Sequence, residues 1–379
     1  MDIKESNIHF KKSKKEYLYY IGFIKFMSMI IIIKWHLVHE IKWTIPIGNR
    51  MCEILFISSG FLVGYNNFNS SINSSFEFSF AYTYKHLRLL YPLYLINILY
   101  NIIYNKICFN AINKNQYSVL TDIEIILINA TLLQSWSQYK IPYFSDHTWF
   151  LSDLIFLYFL SPFLLKGLSK PKISFILFIL IGSIRILVEL FLKNGATNLF
   201  DTNIYHGPII RLLEFYLGML IVPLYFTIKY KFDNIIIYRK VIKILFTITQ
   251  IFMPIYAYFF MQKYNYLDSC YYVLICCFFI LVCAFDYGYL SNILSHKIFK
   301  IIMSCQFEMY LLQFIPNNFM KNYELFKHSN PRINIELLFH LKLLIIFIIS
   351  YSYKSLLKQK LAKYMDNIIF FIGKLFDIH

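Results

Sequence analysis

Residues 18–38 read LYYIGFIKFMSMIIIIKWHLV, an apolar run that nevertheless contains Lys25, Lys34 and His36. About twenty residues of helix cross the roughly 30 Å hydrocarbon core of a bilayer. A Lys near the centre of such a helix opposes insertion by about 2.5–3.5 kcal/mol, whereas each Ile, Leu or Phe favours it by only about 0.3–0.6 kcal/mol. Selection for insertion alone does not keep these groups. At about 100° and 1.5 Å per residue, Lys25 and His36 lie within about 20° of one helix face and about 16 Å apart along the axis. Lys34 points to the opposite side and reads as a side chain snorkelling to the interface. For Lys25 the competing reading is snorkelling to the inner surface, and for His36 it is an ordinary interfacial histidine.

Working outward, similar runs recur at about 51–66, 89–105, 123–136, 148–166, 173–192, 208–228, 243–261, 267–286, 301–317 and 336–354. The 379 residues are 58% hydrophobic and 15% charged, with mean hydropathy +0.53. An ordinary soluble domain is about 25% charged, and a disordered chain is more polar still, so both classes are excluded. The expected fold is all-α: a polytopic integral membrane helical bundle of about ten transmembrane helices plus interfacial helices, forming one domain over 1–379.

The fourth run is short and contains Asn129, Gln134 and Ser135. If it spans, every later loop inverts. If it lies at the outer interface, 22 Lys and Arg fall inside and 10 outside, as the positive-inside rule requires. The second arrangement is therefore expected, with both termini cytoplasmic and an outer segment over about 106–147. The same rule accounts for the net charge of +16 through topology and membrane lipids, without a nucleic-acid partner. Residues 1–17 read as a basic cytoplasmic segment before an uncleaved first span. Residues 76–92 read as an interfacial helix leading into the third span, and 355–379 as a cytoplasmic amphipathic tail. The seven cysteines read as small apolar residues. The ten histidines lack ligand spacing, so no metal is expected.

Other ionisable groups sit in or beside the runs. Arg185 and Glu189 are spaced i,i+4 and read as an internal ion pair. Arg211 and Glu214 open the seventh span, where a structural and a functional role stand level. His147 and Trp149 lie where the outer segment re-enters the membrane; an aromatic anchor is the simpler reading of Trp149.

Several of these residues fall into ordered motifs. Lys25 and His36 are separated by ten residues. Phe56-Ile57-Ser58-Ser59-Gly60-Phe61-Leu62 follows, then Tyr84-Lys85-His86-Leu87-Arg88-Leu89-Leu90-Tyr91-Pro92. Later come His147-Thr148-Trp149-Phe150-Leu151-Ser152, Arg211-Leu212-Leu213-Glu214-Phe215 with Gly218, and Ser304-Cys305-Gln306-Phe307-Glu308-Met309-Tyr310-Leu311. In order and spacing the chain resembles the membrane-bound acyltransferase-3 family over about residues 17–355. That family O-acetylates bacterial surface glycans and related sugars. Lys25 and Lys85 stand where its pattern has Arg, and Gln313 stands where many members carry His. Lys keeps the charge but lacks the planar fork of Arg.

The resemblance implies an acyltransferase of the bacterial cytoplasmic (inner) membrane. It would move an acetyl group from cytoplasmic acetyl-CoA to a hydroxyl of a surface polysaccharide or other glycan, with glycan-assembly proteins as candidate partners. A hydroxyl is a weak nucleophile and needs a base. His36 is the expected base and His147 the reserve. Lys85 and Arg88 would clamp the donor phosphates, and Lys25 would hold the donor or polarise its thioester carbonyl. Trp149, Arg211 and Glu214 would shape the acceptor site. A lipid-linked glycan flippase or transporter is the alternative, and it lacks support from inverted-repeat signs.

Overall fold

The computed structural model describes residues 16–40, 48–68, 74–109, 119–136, 147–168, 170–195, 206–233, 239–263, 269–313, 315 and 331–375. No strand occurs among them. The quoted run forms α1 (Tyr19–Glu40), and α2 (Gly48–Asn67) packs beside it. Asp286 fixes where α1 starts. Held at φ 55°, it accepts hydrogen bonds from the Tyr19 and Tyr20 amides at 2.6 and 3.0 Å, amides that otherwise have no partner within the helix. The N-terminal segment 1–15 lies outside the described residues.

Ser75 caps α3 (Phe76–Leu87) by accepting from the Phe78 amide at 3.2 Å. Glu77 lies in its first turn and Lys85 and His86 in its last, each complementing the helix dipole. A turn over Arg88–Leu90 leads into α4 (Tyr91–Phe109), bent 60° from α3. Pro92 is the second residue of α4, where the missing N–H costs little. α5 (Val119–Ala130) has 12 residues and is about 18 Å long, too short to cross a bilayer. The chain then turns at Leu132, φ 58°, and reaches α6 (Trp149–Leu164).

α7 (Pro171–Gly195), α8 (Pro208–Leu220), α9 (Val222–Asp233), α10 (Arg239–Lys263) and α11 (Ser269–Ala284) follow. Run 301–317 is not one continuous helix. After α12 (Tyr289–Leu294), it is split at Cys305 into α13 (Lys297–Ser304) and α14 (Gln306–Leu312). The Lys354 ammonium donates to the Ser304 carbonyl beside the break, the kind of replacement partner that a broken helix inside a membrane needs. α15 (Pro331–Ser352) runs through a π-helical stretch, Tyr353–Leu357, into α16 (Lys358–Leu375). The tail thus continues the last span rather than forming a separate helix.

Four stretches among the described residues are long and apolar enough to cross a membrane uninterrupted: Trp149–Leu168, Pro171–Leu190, Pro208–Lys231 and Glu336–Phe370, with the bent α3–α4 pair as a fifth. α1, α2 and α10 have 22, 20 and 25 residues and carry more polar groups. The assembly is an all-α membrane bundle.

Its tightest seam joins α2 to α8. A methyl group at Gly60 would lie 1.8 Å from the Phe215 carbonyl oxygen, and one at Gly218 would lie 2.0 Å from that of Ile57. Only glycine allows the two backbones to approach this closely, the usual device where lipid provides no hydrophobic drive between helices. The Ser58-Ser59-Gly60 stretch therefore packs helices, as its small side chains suggest.

Candidate active site

Lys25 does not face lipid. Its ammonium lies 3.2 Å from Ser59 Oγ on α2. Cys52, Phe56 and Ser59 are spaced i, i+4 and i+7, so they share one face of α2. Farther along that face, the Phe56 ring lies 4.5 Å from Phe150 and 6.1 Å from Trp149. Tyr310 stands 5.5 Å from both the Phe150 and the His147 rings. One face of α2 thus leads from Lys25 to an aromatic cluster at the start of α6, over about 10 Å between Ser59 and Cys52.

His147 is buried. Its Nε2 lies 3.3 Å from the Leu311 carbonyl, and its own carbonyl accepts from the Tyr310 hydroxyl. Donation from Nε2 makes Nδ1 the basic nitrogen of the neutral ring. The polar end of the fourth run holds this region in place. Gln134 Nε2 donates to the Thr148 carbonyl at 3.0 Å, Ser135 Oγ to the Trp149 carbonyl at 2.9 Å, and Ser152 Oγ to the Leu132 carbonyl at 2.5 Å. The polar residues that argue against a fourth span are thus the ones that anchor α6.

Trp149 packs against His206 with 4.6 Å between ring centroids and the ring planes tilted by 41°. The Arg211 guanidinium lies 5.6 Å from the Trp149 ring and 5.5 Å from Phe56. Arg211 also pairs with Glu214 at 2.6 Å. The other Glu214 oxygen accepts from Arg185 at 3.1 and 3.2 Å. Arg185 in turn reaches Glu189 at 2.7 Å and Glu53 at 3.8 Å, and Glu53 meets Arg50 at 2.7 Å. The two ion pairs expected separately are one network of three Arg and three Glu across α2, α7 and α8. Both Glu214 oxygens are engaged by guanidinium groups, so Glu214 orients Arg211. Breaking a buried network on one side costs about 3–5 kcal/mol; Arg185→Met should therefore lower the thermal unfolding temperature markedly.

His36 lies part-buried near the end of α1, its ring 4.7 Å from Trp35, on the same helix face as Lys25. Lys34 pairs with Glu336 at 2.6 Å and lies over the Phe339 ring, so its charge is matched by α15. Lys85 is exposed. Arg88 meets Asp366 of α16 at 2.5 Å, and the Tyr84 hydroxyl donates to the same carboxylate at 2.6 Å. His86 stacks on Tyr158 of α6, ring centroids 4.5 Å apart. Tyr158 is nine residues beyond Trp149, about 14 Å along α6. One helix therefore touches both the basic element and the aromatic cluster.

A family model described as an acyltransferase domain matches residues 18–359. The chain belongs to the acyltransferase-3 family. No curated protein and no solved structure matches this acyltransferase significantly. Membership favours a transferase over a flippase. Reading the sequence for site residues missed Arg50, Glu53, Asp153 and Asp366. Glu53 and Asp153 did carry a signal, since each is an acidic residue inside an apolar run. The pairings of Glu53 with Arg185 and of Asp366 with Arg88 join distant parts of the chain and carried none.

Proposed function

We propose that the protein moves an acetyl group from cytoplasmic acetyl-CoA to a hydroxyl of a surface polysaccharide or related glycan on the outer side of the bacterial inner membrane. The observation that carries this reading is the single face of α2 that leads from the Lys25 ammonium to the His147–Trp149–Arg211 cluster. A donor arm passing Lys25 from the Lys85 end would carry its thioester toward an acceptor held at the other end.

In this reading Lys85 and Arg88 bind the donor phosphates, as exposed or half-exposed cations can. The Lys25 ammonium, about 16 Å along α1 from His36, holds the pantetheine arm of the donor, and the sugar hydroxyl adds to the thioester carbonyl carbon at the His36 end. His36 takes the hydroxyl proton, with His147 as the second candidate base. The C–S bond then breaks, and the sulfur leaves as the CoA thiol after taking up that proton. Trp149 and Arg211 position the acceptor, and Glu214 holds Arg211. Lys in place of the family Arg at position 25 offers a point charge in place of a two-pronged grip.

Mass analysis of surface glycan from cells with the intact gene, the deletion and the His36→Ala allele tests this. Acetyl esters should vanish in both mutants while glycan is still exported. Unchanged esters with glycan accumulating inside the cell would overturn the reading in favour of a flippase.

Asp366 occupies the Arg88 guanidinium that the donor would need. A half-exposed ion pair contributes no more than about 1 kcal/mol. Asp366→Asn should therefore lower the KM for acetyl-CoA by about two- to fivefold without changing kcat.

A further inference from the structure

Asp153 and Gln313 are fully buried. Neither Asp153 oxygen accepts a hydrogen bond, and neither side-chain polar atom of Gln313 makes one. The nearby Ser135 hydroxyl is already given to the Trp149 carbonyl. A buried carboxylate and a buried amide left this way are costly, so a built bundle keeps them only where something else completes them.

Their positions agree with each other. Asp153 is four residues after Trp149, on the same face of α6, and lies within electrostatic reach of Arg211 and Tyr310. Gln313 is three residues after Tyr310, at the end of α14, the helix whose Leu311 carbonyl receives His147. Both groups thus border the cluster of His147, Trp149 and Tyr310.

We propose that Asp153 and Gln313 form the hydroxyl-binding pair of the acceptor site, engaging neighbouring hydroxyls of a sugar whose ring lies against Trp149. The pair rests on the glycan-acceptor reading above and gives it a specific recognition element. A carboxyl group accepts hydrogen bonds and, when protonated, also donates one, and an amide both donates and accepts. A polyol satisfies all of these groups, and an apolar acyl acceptor satisfies none.

The test uses the full chain in lipid nanodiscs, with surface-glycan oligosaccharide stripped of its esters by mild alkali as the probe. The probe should raise the Tm of the wild type. Asp153→Leu should unfold at or above the wild-type temperature without probe and should lose most of the probe-induced shift. Its KM for the probe should rise about 10- to 100-fold, the loss expected when a buried sugar hydroxyl is left without its partner, with the KM for acetyl-CoA unchanged. Asp153→Asn, which keeps one acceptor oxygen, should fall between the two, and Gln313→Ala should raise the KM for the probe alone. A full probe-induced shift and an unchanged probe KM in both Asp153 variants would overturn the pair and leave the transferase reading standing. A wild type that neither shifts with the probe nor acetylates it would overturn both.

Discussion

His36→Ala should abolish glycan acetylation, lowering kcat by about 10²–10⁴-fold, the usual contribution of a positioned general base. Its ring is part-buried beside Trp35 on the Lys25 face of α1. Truncation there opens little of the core, so the protein should insert and unfold as the wild type does. The informative comparison is His147→Gln. That ring is buried, with Nε2 at the Leu311 carbonyl and its own backbone carbonyl tied to Tyr310. A Gln keeps a donor for Leu311 while removing the basic nitrogen. With His36 as the base, His147→Gln should cost at most about tenfold. Residual transfer in His36→Ala that disappears when His147→Gln is added would move the role to His147. Steady-state transfer to de-esterified glycan, measured with all three variants, decides between them.

Lys25→Met should raise the KM for acetyl-CoA about 10- to 100-fold, the loss expected when a hydrogen bond from a charged group is removed. Lys25→Arg should stay within about tenfold of the wild type. Met matches Lys in length and favours insertion of α1, so lost activity with normal membrane levels reports on donor binding. The contact at stake is the ammonium 3.2 Å from Ser59 Oγ. Arg keeps the charge and reaches the same hydroxyl. Wild-type transfer by Lys25→Met would remove Lys25 from the mechanism.

The helical architecture was legible because periodic apolar runs dictate it. The reading of 123–136 as too polar to span holds, because Gln134 and Ser135 are used up on the carbonyls of Thr148 and Trp149. The bend ahead of α4 was legible in Pro92 and in the basic residues before it. Run 301–317 looked uniform, because nothing local marks Cys305 as a break. The Lys354 contact that offsets the break comes from fifty residues away. The same limit explains the ion network. Arg185–Glu189 and Arg211–Glu214 are helix neighbours and visible in spacing, but Glu53 meets Arg185 only once α2 and α7 are brought together. Asp366 gave no hint of Arg88, since an acidic residue on an amphipathic tail reads as a solvated one.

The most direct measurement separates the two substrates by a membrane. Proteoliposomes enclosing de-esterified glycan receive radiolabelled acetyl-CoA only from outside. If one face of α2 links a donor at the Lys85 end to an acceptor at the Trp149 end, label should appear as alkali-labile ester on the enclosed glycan. It should fall at least tenfold with Lys25→Met or His36→Ala protein. Label that forms only when glycan and acetyl-CoA share the same compartment would contradict the account.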